Sequence, residues 1–423
     1  MSTPLFPSAP PERPVGRPLT VVLALLTVFG PISMDLYLPV LPTLTSELGA
    51  ATATAQLTVT ACLIGLALGQ LVAGPLSDRL GRRRPLLFGV AAYIGASALC
   101  ALSPSIGTLI IARFLQGLAG AVGIVIAQAA GRDLYTGGKL VRYYSRLTVI
   151  GGLAAIVGPV LGGQLAAVTD WRGLFLFLAG AGAVILSAVL FVFRETLPHH
   201  KRSTGELRQT GRDFRRLLSD RTFLGAVLVI GFAYAALFAY LSGATYVLQG
   251  IYGLSPQGYS FAFGLNSLGF MLCGFGAGRL AGRWAQKRTL LIGLLMCLVG
   301  AGGVLVTATL RLPLPAMVAS LFLMVGGVAA ATPPATSLAL SDHPDIAGTA
   351  SSLLGLTQFA FGGLAAPLVG LGGAGTAVPL GLVTVVAAAL AALVYAVTIR
   401  PHSRTSPSAS TAGAPAECLA AGS

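Results

Sequence analysis

Two ionisable side chains lie deep inside long apolar runs of the sequence, Asp35 in the first run and Arg113 in the fourth. A charge near the middle of a membrane-spanning helix costs at least about 2.5–3.5 kcal/mol, so such residues usually carry function. Counted at 1.5 Å per residue from the run ends, both lie roughly 10 Å below the same surface. We therefore predict that Asp35 takes up and releases a proton while Arg113 tunes its proton affinity. The alternative is a permanent salt bridge that holds two helices together.

No other residue set in the sequence points to chemistry. Four of the five cysteines lie inside apolar runs, no CxxC occurs, and none of the four histidines lies within a predicted span. We find no Ser/His/Asp set, no metal-spaced His/Cys cluster and no GxxxxGK[ST] loop. We therefore expect no enzyme activity, no metal and no cofactor, and an ATP-driven pump is excluded. The alternative function from another class is a membrane enzyme or receptor, and no motif in the sequence supports it.

The composition places the chain in a membrane. Hydrophobic residues make up 55% of the 423 residues and charged residues 9%, whereas a soluble chain carries roughly 25% charged residues. The net charge of +14 would suit nucleic acid, but the basic residues form short clusters between apolar runs. Such clusters are typical of the cytoplasmic side of a membrane protein, so we expect a lipid bilayer and no nucleic acid as partner.

Twelve apolar runs are each close to the ~20 residues that a spanning helix needs. They predict helices over residues 19–41, 54–76, 86–103, 106–128, 145–168, 173–193, 222–248, 257–281, 289–308, 313–333, 347–370 and 375–399. With the N-terminus inside, only Arg172 and Arg311 fall on the outer side and Arg113 within a span, which leaves 24 of the 27 Lys and Arg inside. We therefore predict a multi-pass protein of the bacterial inner (cell) membrane with both termini cytoplasmic.

The chain also repeats itself weakly. Residues 74–84 read GPLSDRLGRRR and residues 278–288 read GRLAGRWAQKR, with four identities at one offset, and each follows the second span of its half. Matching loops in two sets of six spans are typical of a pseudo-symmetric transporter. We predict an all-α membrane protein of two pseudo-symmetric six-helix bundles, at 19–193 and 222–400. A cytoplasmic linker at 194–221 joins them, and disordered cytoplasmic tails lie at 1–18 and 401–423.

Four motifs, in order, resemble those of the major facilitator superfamily. These are the loop GPLSDRLGRRR, the fourth-span run LIIARFLQGLAGA (109–121), the fifth-span antiporter run GGLAAIVGPVLGG (151–163) and the first-span run MDLYLPVLP (34–42) of drug/proton antiporters with about twelve spans. Further runs resemble the bicyclomycin/chloramphenicol-resistance (Bcr/CflA) group: RDLYTGG (132–138), WRGLFLFL (171–178), RETLP (194–198) and GTASSLLGLTQF (348–359). The resemblance covers about residues 19–399 and implies the major facilitator fold.

The resemblance assigns roles to individual positions. The gating and conformational motif would comprise Gly74, Asp78, Arg79, Gly81, Arg82 and Arg83, with Asp78 contacting the start of span eleven around Gly348–Ala350 when the inside is closed. Its arginines would also meet anionic lipid headgroups, or, for Arg83 and Arg84, only fix the topology. The antiporter helix motif would comprise Gly158, Pro159, Gly162 and Gly163, and it favours export; plain glycine-mediated packing would make the same contact.

A substrate cavity is expected between the halves near the midplane. Its candidate lining residues are polar or aromatic residues within spans: Tyr37, Gln116, Gln128, Tyr234, Phe238, Asn266 and Gln358. For the aromatic residues, lipid contact or packing is an equal alternative, whereas lipid exposure of an amide is costly. The second half departs from the first, since Gly282 replaces the acid that matches Asp78 and no acid lies inside a span there.

These observations favour a proton-coupled antiporter that exports small amphipathic drugs or antibiotics by alternating access. By resemblance, chloramphenicol-like and bicyclomycin-like compounds are the candidate substrates. The alternative is a proton-coupled transporter of a metabolite or sugar with a narrow substrate range, working as an exporter or an importer. A monomer would suffice for either activity.

Overall fold

The computed structural model describes residues 17–135, 137–198, 202, 207–280, 285–341, 346–373 and 375–399. These residues form fourteen α-helices and no strand. The helices are α1 (Arg17–Asp35), α2 (Leu41–Glu47), α3 (Thr52–Leu80), α4 (Arg83–Ala101), α5 (Ile106–Leu134), α6 (Gly137–Leu165), α7 (Trp171–Val192), α8 (Leu207–Ser219), α9 (Arg221–Thr245), α10 (Pro256–Leu280), α11 (Gln286–Leu310), α12 (Leu314–Ser341), α13 (Ala347–Gly370) and α14 (Val378–Val394).

Eleven of the described segments are long and apolar enough to cross a membrane. The α1–α2 pair forms the first, and α6, with 29 residues and an apolar stretch at Ile156–Leu165, occupies the position of the predicted fifth span. The prediction of an all-helical, multi-pass membrane protein is confirmed. Residues 1–16 and 401–423 of the predicted tails and residues 281–284 of the second basic loop lie outside the described residues, whereas Arg17 and Pro18 already belong to α1.

Helix starts follow local capping chemistry where the chain leaves the apolar region. Asp170 accepts a hydrogen bond from the Gly173 amide at the start of α7, and Asp220 accepts from two amides at the start of α9. Each carboxylate supplies an acceptor that the first helical turn lacks. Acidic residues and arginines therefore lie mainly at the ends of the spans, and the spans themselves are largely apolar.

The helices pack as two bundles. In the first half, α3 packs against α5, and α4 against α5 and α7; in the second, α11 packs against α12, and α9 against α13 and α14. The halves meet along two helix pairs, α3 with α13 and α6 with α10. Because α3, α6, α10 and α13 are the helices that face the other half, any site between the halves must be built mainly from them and from the ends of α1 and α9.

The first span is broken, a feature that the apolar run did not predict. Helix α1 ends at Asp35, a 3-10 turn covers Leu38–Val40, and α2 begins at Leu41. Pro39 and Pro42 lie in this break, where proline removes backbone donors and disfavours helix in the preceding residue. The freed carbonyls are hydrogen-bonded by the other half: Thr245 donates to the Leu38 carbonyl at 2.9 Å and Gln249 to the Pro39 carbonyl at 2.9 Å.

We call the end of the bundle that carries residues 79–84 the basic end. The break in the first span lies toward the opposite end. There the two halves are in contact, since Thr45 and Tyr246 share a hydrogen bond of 2.7 Å and Gln257 donates to the Gly163 carbonyl at 3.1 Å. The structure is therefore closed at the end opposite the basic one.

Candidate functional site

Arg113 lies in the core of the first half and is held there by carbonyl, amide and aromatic groups. Its side chain is 0% exposed. One guanidinium nitrogen donates to the Ser33 carbonyl at 3.2 Å and to Gln116 Oε1 at 2.5 Å. The guanidinium also lies over the Tyr37 ring, 4.3 Å from its centroid, which is a cation–π geometry. These contacts compensate a buried cation without a carboxylate.

Two predicted cavity residues form this cage. Gln116 receives its hydrogen bond from Arg113 and donates its own amide to Ser97 Oγ at 2.8 Å. The Tyr37 hydroxyl is 3.0 Å from Thr58 Oγ1. Both side chains are fully buried, so in this conformation the structure brings them to Arg113 and not to an open cavity.

Asp35 is close to this cage in sequence but points elsewhere. Its side chain is 6% exposed, and within the described part of the chain it forms no ion pair with Arg113. Successive helical residues are 100° apart, so Ser33 and Asp35 project to roughly opposite sides of α1. Arg113 contacts the Ser33 side, and the permanent salt bridge considered above is absent here. Asp35 instead lies against α6, where a Cβ added to Gly158 would be 3.0 Å from its own Cβ.

Two tyrosines of the second half, Tyr240 on α9 and Tyr259 on α10, lie within range of the charge of an ionised Asp35. Asn266 lies beside them and donates an amide hydrogen to the Tyr240 hydroxyl at 3.0 Å. All three side chains are essentially buried. In the described part of the chain, neither the Tyr259 hydroxyl nor Asn266 Oδ1 has a hydrogen-bond partner. We call Tyr240, Tyr259 and Asn266 the polar triad.

Sequence reasoning identified Asn266 but missed both tyrosines. The signal was available, since Tyr259, Phe263 and Asn266 fall at i, i+4 and i+7 and so share one face of α10. Phe263 lies between the phenols, with ring centroids 5.6 Å from Tyr240 and 5.9 Å from Tyr259. The next residue of α10, Ser260, donates to the Pro159 carbonyl at 2.7 Å and so places this part of α10 against the first half.

The glycines of the fifth span allow these approaches. A Cβ at Gly162 would lie 1.9 Å from the Leu36 carbonyl oxygen, so only glycine fits against the break in the first span. A Cβ at Gly163 would lie 2.2 Å from Ser260 Oγ in the other half. The predicted antiporter motif thus packs on both sides: Gly158 and Gly162 against the first span, Gly163 against α10.

At the basic end, the predicted gating motif lies in an ionic cluster. Arg82 donates to Asp78 at 2.5 Å and to Asp133 at 3.0 Å. The carboxylate of Glu195 accepts from the backbone amides of Arg82 at 2.8 Å and Arg83 at 3.3 Å, at the start of α4. A carboxylate there is stabilised by the free amides and the helix dipole. Gly81, between α3 and α4, has φ +86, which favours glycine.

Burial by itself raises the pKa of Glu195. The hydrogen bonds from the backbone N–H groups of Arg82, Leu197 and Arg83 outweigh that effect and hold its pKa below the usual value. Glu195 and Asp133 were missed as site residues, although the runs RETLP and RDLYTGG contain them. Of the remaining motif residues, Arg83 donates to the Leu190 carbonyl at 3.0 Å, while a Cβ at Gly74 would meet no atom within 4 Å. Arg79 also interacts with a neighbouring group.

The predicted contact of Asp78 with span eleven stays a prediction. In this structure Asp78 pairs with Arg82 of its own loop, and its side chain is 45% exposed. A contact that forms when the basic end closes would require this exposed carboxylate to turn toward α13.

The other cavity candidates lie away from the polar triad. Tyr234 and Phe238 are neighbours on α9, with ring centroids 6.2 Å apart, and Phe238 also contacts Phe359 of α13 at 6.0 Å. Gln358 is half-buried, and Gln128 is exposed near the basic end of α5. A groove of about 380 Å³ between α9, α13 and α14 is apolar and lined partly by exposed side chains, so it is not the site between the halves.

Among the described residues, no group of three or more His, Cys, Asp or Glu side chains is arranged to hold a metal ion. The site therefore consists of one carboxyl at a helix break, a caged guanidinium behind it and a polar triad across the interface. Such an arrangement offers proton binding and hydrogen bonding, and the interface is where the two halves must separate.

The fold agrees with that of solved transporters. A bacterial homolog of the human lysosomal transporter Spinster matches with a TM-score of 0.74 and 16% identity, over 92% of this chain and 99% of that chain. A D-xylose-proton symporter matches with a TM-score of 0.68 and 14% identity, over 88% of this chain and 96% of that chain. At these identities the likeness establishes the shared fold.

Sequence relatives agree with this result. An MFS-type transporter of Bacillus subtilis, YdgK, is 36% identical over 91% of this chain and 96% of its own length. A chloramphenicol resistance protein of Pseudomonas aeruginosa is 32% identical over 81% of this chain and 80% of its own. A bicyclomycin resistance protein homolog of Haemophilus influenzae is 29% identical over 85% of this chain and 90% of its own. The sequence model described as Major Facilitator Superfamily matches residues 23–367. These relatives indicate a transporter rather than an enzyme, and the chain belongs to the Major Facilitator Superfamily.

Proposed function

We propose that this chain is a proton-coupled antiporter that exports small amphipathic drugs or antibiotics from a bacterial cell. It would lie in the inner membrane as a monomer, with its basic end and both termini in the cytoplasm. Its substrates would include chloramphenicol-like or bicyclomycin-like compounds, because relatives with those resistance names align with 81% and 85% of its length.

The observation that carries the proposal is the setting of Asp35. Among the described residues this buried carboxyl has no cation partner, and it lies at a break in a spanning helix, against α6, one of the helices that face the other half. Broken helices near the interface are where transporters of this architecture place substrate and coupling-ion sites. A carboxyl held by no salt bridge is free to exchange a proton whenever the interface opens to water.

The surroundings of Arg113 support the role of Asp35 in proton coupling. Its charge is neutralised by the Ser33 carbonyl, the Gln116 amide oxygen and the Tyr37 ring, so Asp35 does not have to serve as its permanent counterion. Export is supported by the packing of Gly158 and Gly162 against the broken span, the motif typical of antiporters. In the proposed orientation the end opposite the basic one faces outward, and this conformation is closed to the outside.

The proposal is tested by drug susceptibility in an efflux-deficient bacterium, comparing wild type with Asp35→Asn over a panel that includes chloramphenicol and bicyclomycin. The amide keeps the size and hydrogen bonding of a neutral carboxyl but cannot lose a proton. We expect resistance from the wild type and none from Asp35→Asn at equal membrane abundance. Asp170→Asn, which changes an exposed N-cap carboxylate outside the spans, is the matched control and should retain resistance.

Full resistance from Asp35→Asn would contradict the coupling role. Absence of resistance from the wild type to every compound would contradict drug export. Substrate-driven acidification of inverted vesicles would then separate a narrow metabolite exporter from an importer, because the two move protons in opposite directions.

A further inference from the structure

Helix α8 is short and amphipathic, and it packs on the second half at the basic end. Its 13 residues include four arginines and one acid, and its last six residues hold three large apolar side chains, Phe214, Leu217 and Leu218. Helix α8 contacts α9 and α13. Leu217 is fully buried in an apolar cluster with Phe223 of α9 and Leu353 of α13, and Phe214 packs against that cluster. These contacts fix α8 to the second half.

The same contacts place α8 at the level where two spans begin. Asp220 alone separates α8 from α9, and its carboxylate caps the first turn of α9. Leu353 follows the start of α13 by six residues, which is roughly 9 Å along the helix axis. The polar headgroup layer adds roughly 5–7 Å on each side of the hydrocarbon core. Helix α8 therefore lies beside the first turns of α9 and α13, at the level of the lipid headgroups.

The surface of α8 changes from buried apolar to exposed basic around the helix. Next to the buried Leu217, Phe214 is half-buried and Leu218 is 48% exposed. Arg215 and then Arg212 follow at steps of about 60°, and both are exposed. An exposed leucine beside a row of arginines is typical of a helix that lies in a membrane interface, with its apolar side toward the acyl chains and its basic side at the headgroups.

The two exposed arginines are available to a ligand. Among the described residues, neither Arg212 nor Arg215 forms an ion pair, whereas Arg216 has a partner. A guanidinium matches the geometry of a phosphate and can bind it through two hydrogen bonds. Basic residues on an amphipathic helix at a membrane surface attract anionic lipids. The position of Leu218 at the headgroup level favours a lipid over a soluble acidic partner.

We propose that the exposed face of α8, formed by Arg212, Arg215 and Leu218, is a binding site for an anionic phospholipid. The arginines bind its phosphate, and Leu218 lies among its acyl chains. Because Leu217 fixes α8 to α9 and α13, the lipid is held by the second half at the basic end. The site lies outside the interface between the halves, so it depends neither on proton coupling nor on a transported substrate.

The test measures which lipids lie next to α8 in the purified full-length chain. An NBD fluorophore is attached at Ser219→Cys, an exposed position four residues after Arg215, in a chain that also carries Cys273→Ser and Cys418→Ser. The protein is placed in phosphatidylcholine nanodiscs that contain a small fraction of 5-doxyl phosphatidylglycerol or 5-doxyl phosphatidylcholine. The nitroxide lies close to the headgroup, so the ratio of quenching by the two lipids reports the headgroup preference.

In the wild-type face we expect a preference for phosphatidylglycerol of about five-fold for each arginine, or about twenty-fold for the pair, the order of effect of basic residues at an anionic surface. Arg212→Gln with Arg215→Gln should bring the ratio close to one, whereas Arg212→Lys with Arg215→Lys should retain most of it. Leu218→Ser should weaken quenching by both lipids and leave their ratio unchanged. Arg311→Gln, which removes an exposed arginine at the opposite end, is the control and should have no effect.

Salt gives a test that needs no variant, so it remains decisive even if the glutamine pair does not fold. In about 1 M NaCl the screening length shrinks to about 3 Å, and the preference should fall toward one. Equal quenching by the two lipids at low salt would overturn the proposal, and so would a preference that survives the glutamine pair. Absence of quenching by either lipid would also overturn it, because α8 would then lie outside the membrane interface. A chain that confers drug resistance without this lipid preference keeps the proposed function and loses this site.

Discussion

Substitution of Gly162 by alanine should disrupt the packing that supports the break in the first span. The added Cβ would lie 1.9 Å from the Leu36 carbonyl oxygen, 2.8 Å from its carbon and 3.1 Å from its Cα. Ordinary contact begins near 3.4 Å, so α6 and the break must separate by more than 1 Å, and the obstructing atoms are backbone atoms that no rotamer change can move. Overpacking of this kind costs about 1–3 kcal/mol, and backbone obstruction favours the upper part of that range.

The same helix supplies a graded control series. Gly151 has no atom within 4 Å of an added Cβ, and Gly158 meets the Asp35 Cβ at 3.0 Å. Gly151→Ala should be neutral or slightly stabilising, because alanine favours helix by up to about 1 kcal/mol over glycine. Gly158→Ala should be intermediate and Gly162→Ala the most damaging.

The assay is the apparent melting temperature of detergent-solubilised protein by fluorescence-detected size exclusion, followed by drug resistance in cells. We expect the order Gly151→Ala, Gly158→Ala, Gly162→Ala in both measurements. Gly162→Ala protein that is as stable and as active as Gly151→Ala protein would refute the reasoning, since it would mean that the close approach of α6 to Leu36 is not required.

Two further predictions concern the caged cation and the basic end. Arg113→Lys should abolish export, because an ammonium group cannot reach Ser33 and Gln116 while lying over the Tyr37 ring. It should also lower the stability of the first half by about 1.5–3 kcal/mol, the value of one charged hydrogen bond. Full resistance from the Arg113→Lys protein would contradict this prediction. Glu195→Gln should lower the apparent melting temperature at neutral pH. The pKa of the Glu195 carboxyl is held below its usual 4.5 in the folded protein. The ionised carboxylate therefore stabilises the fold above pH 4.5, and this stabilisation is lost as the pH falls through the pKa of the folded state. The difference in melting temperature between wild type and Glu195→Gln should consequently become smaller in acid. A gap that widens in acid would contradict the assigned hydrogen bonds.

The contacts at the basic end lie within one half, whereas those at the opposite end join the two halves. At the basic end, Glu195 connects the segment after α7 to the start of α4, and Arg82 joins α3 to Asp133 of α5. These contacts lie within the first half and keep it one unit. The hydrogen bonds of Thr245 and Gln249 to the broken span join the halves at the opposite end, while α3 and α13 remain in contact as far as Gln70 and Gly355. A rigid first half that separates from the second at the break is what alternating access requires.

The sequence by itself determined the class of molecule, the approximate positions of eleven of the twelve predicted spans, and the residues that carry charge into them. Apolar runs of about 20 residues have one stable outcome in a bilayer, because backbone groups there must be satisfied within the segment, so α3 to α7 and α9 to α14 follow directly from hydropathy. Asp35 and Arg113 were identifiable for the same reason: each is too costly to place in a span without a purpose.

Only the tertiary structure decided what those residues face. Equal depth suggested that Asp35 and Arg113 form a pair, yet two residues of helix rotation place Arg113 at the Ser33 carbonyl and Asp35 against Gly158 of α6. The break in the first span depends on carbonyl partners from Thr245 and Gln249, which are more than 200 residues away in sequence. Tyr240 and Tyr259 become site residues through that same docking. Hydropathy indicates how deep in the membrane a residue lies. The direction in which its side chain points, and the residue that it contacts, depend on how the two bundles pack. That packing is the sum of many long-range contacts, which a local sequence pattern does not contain.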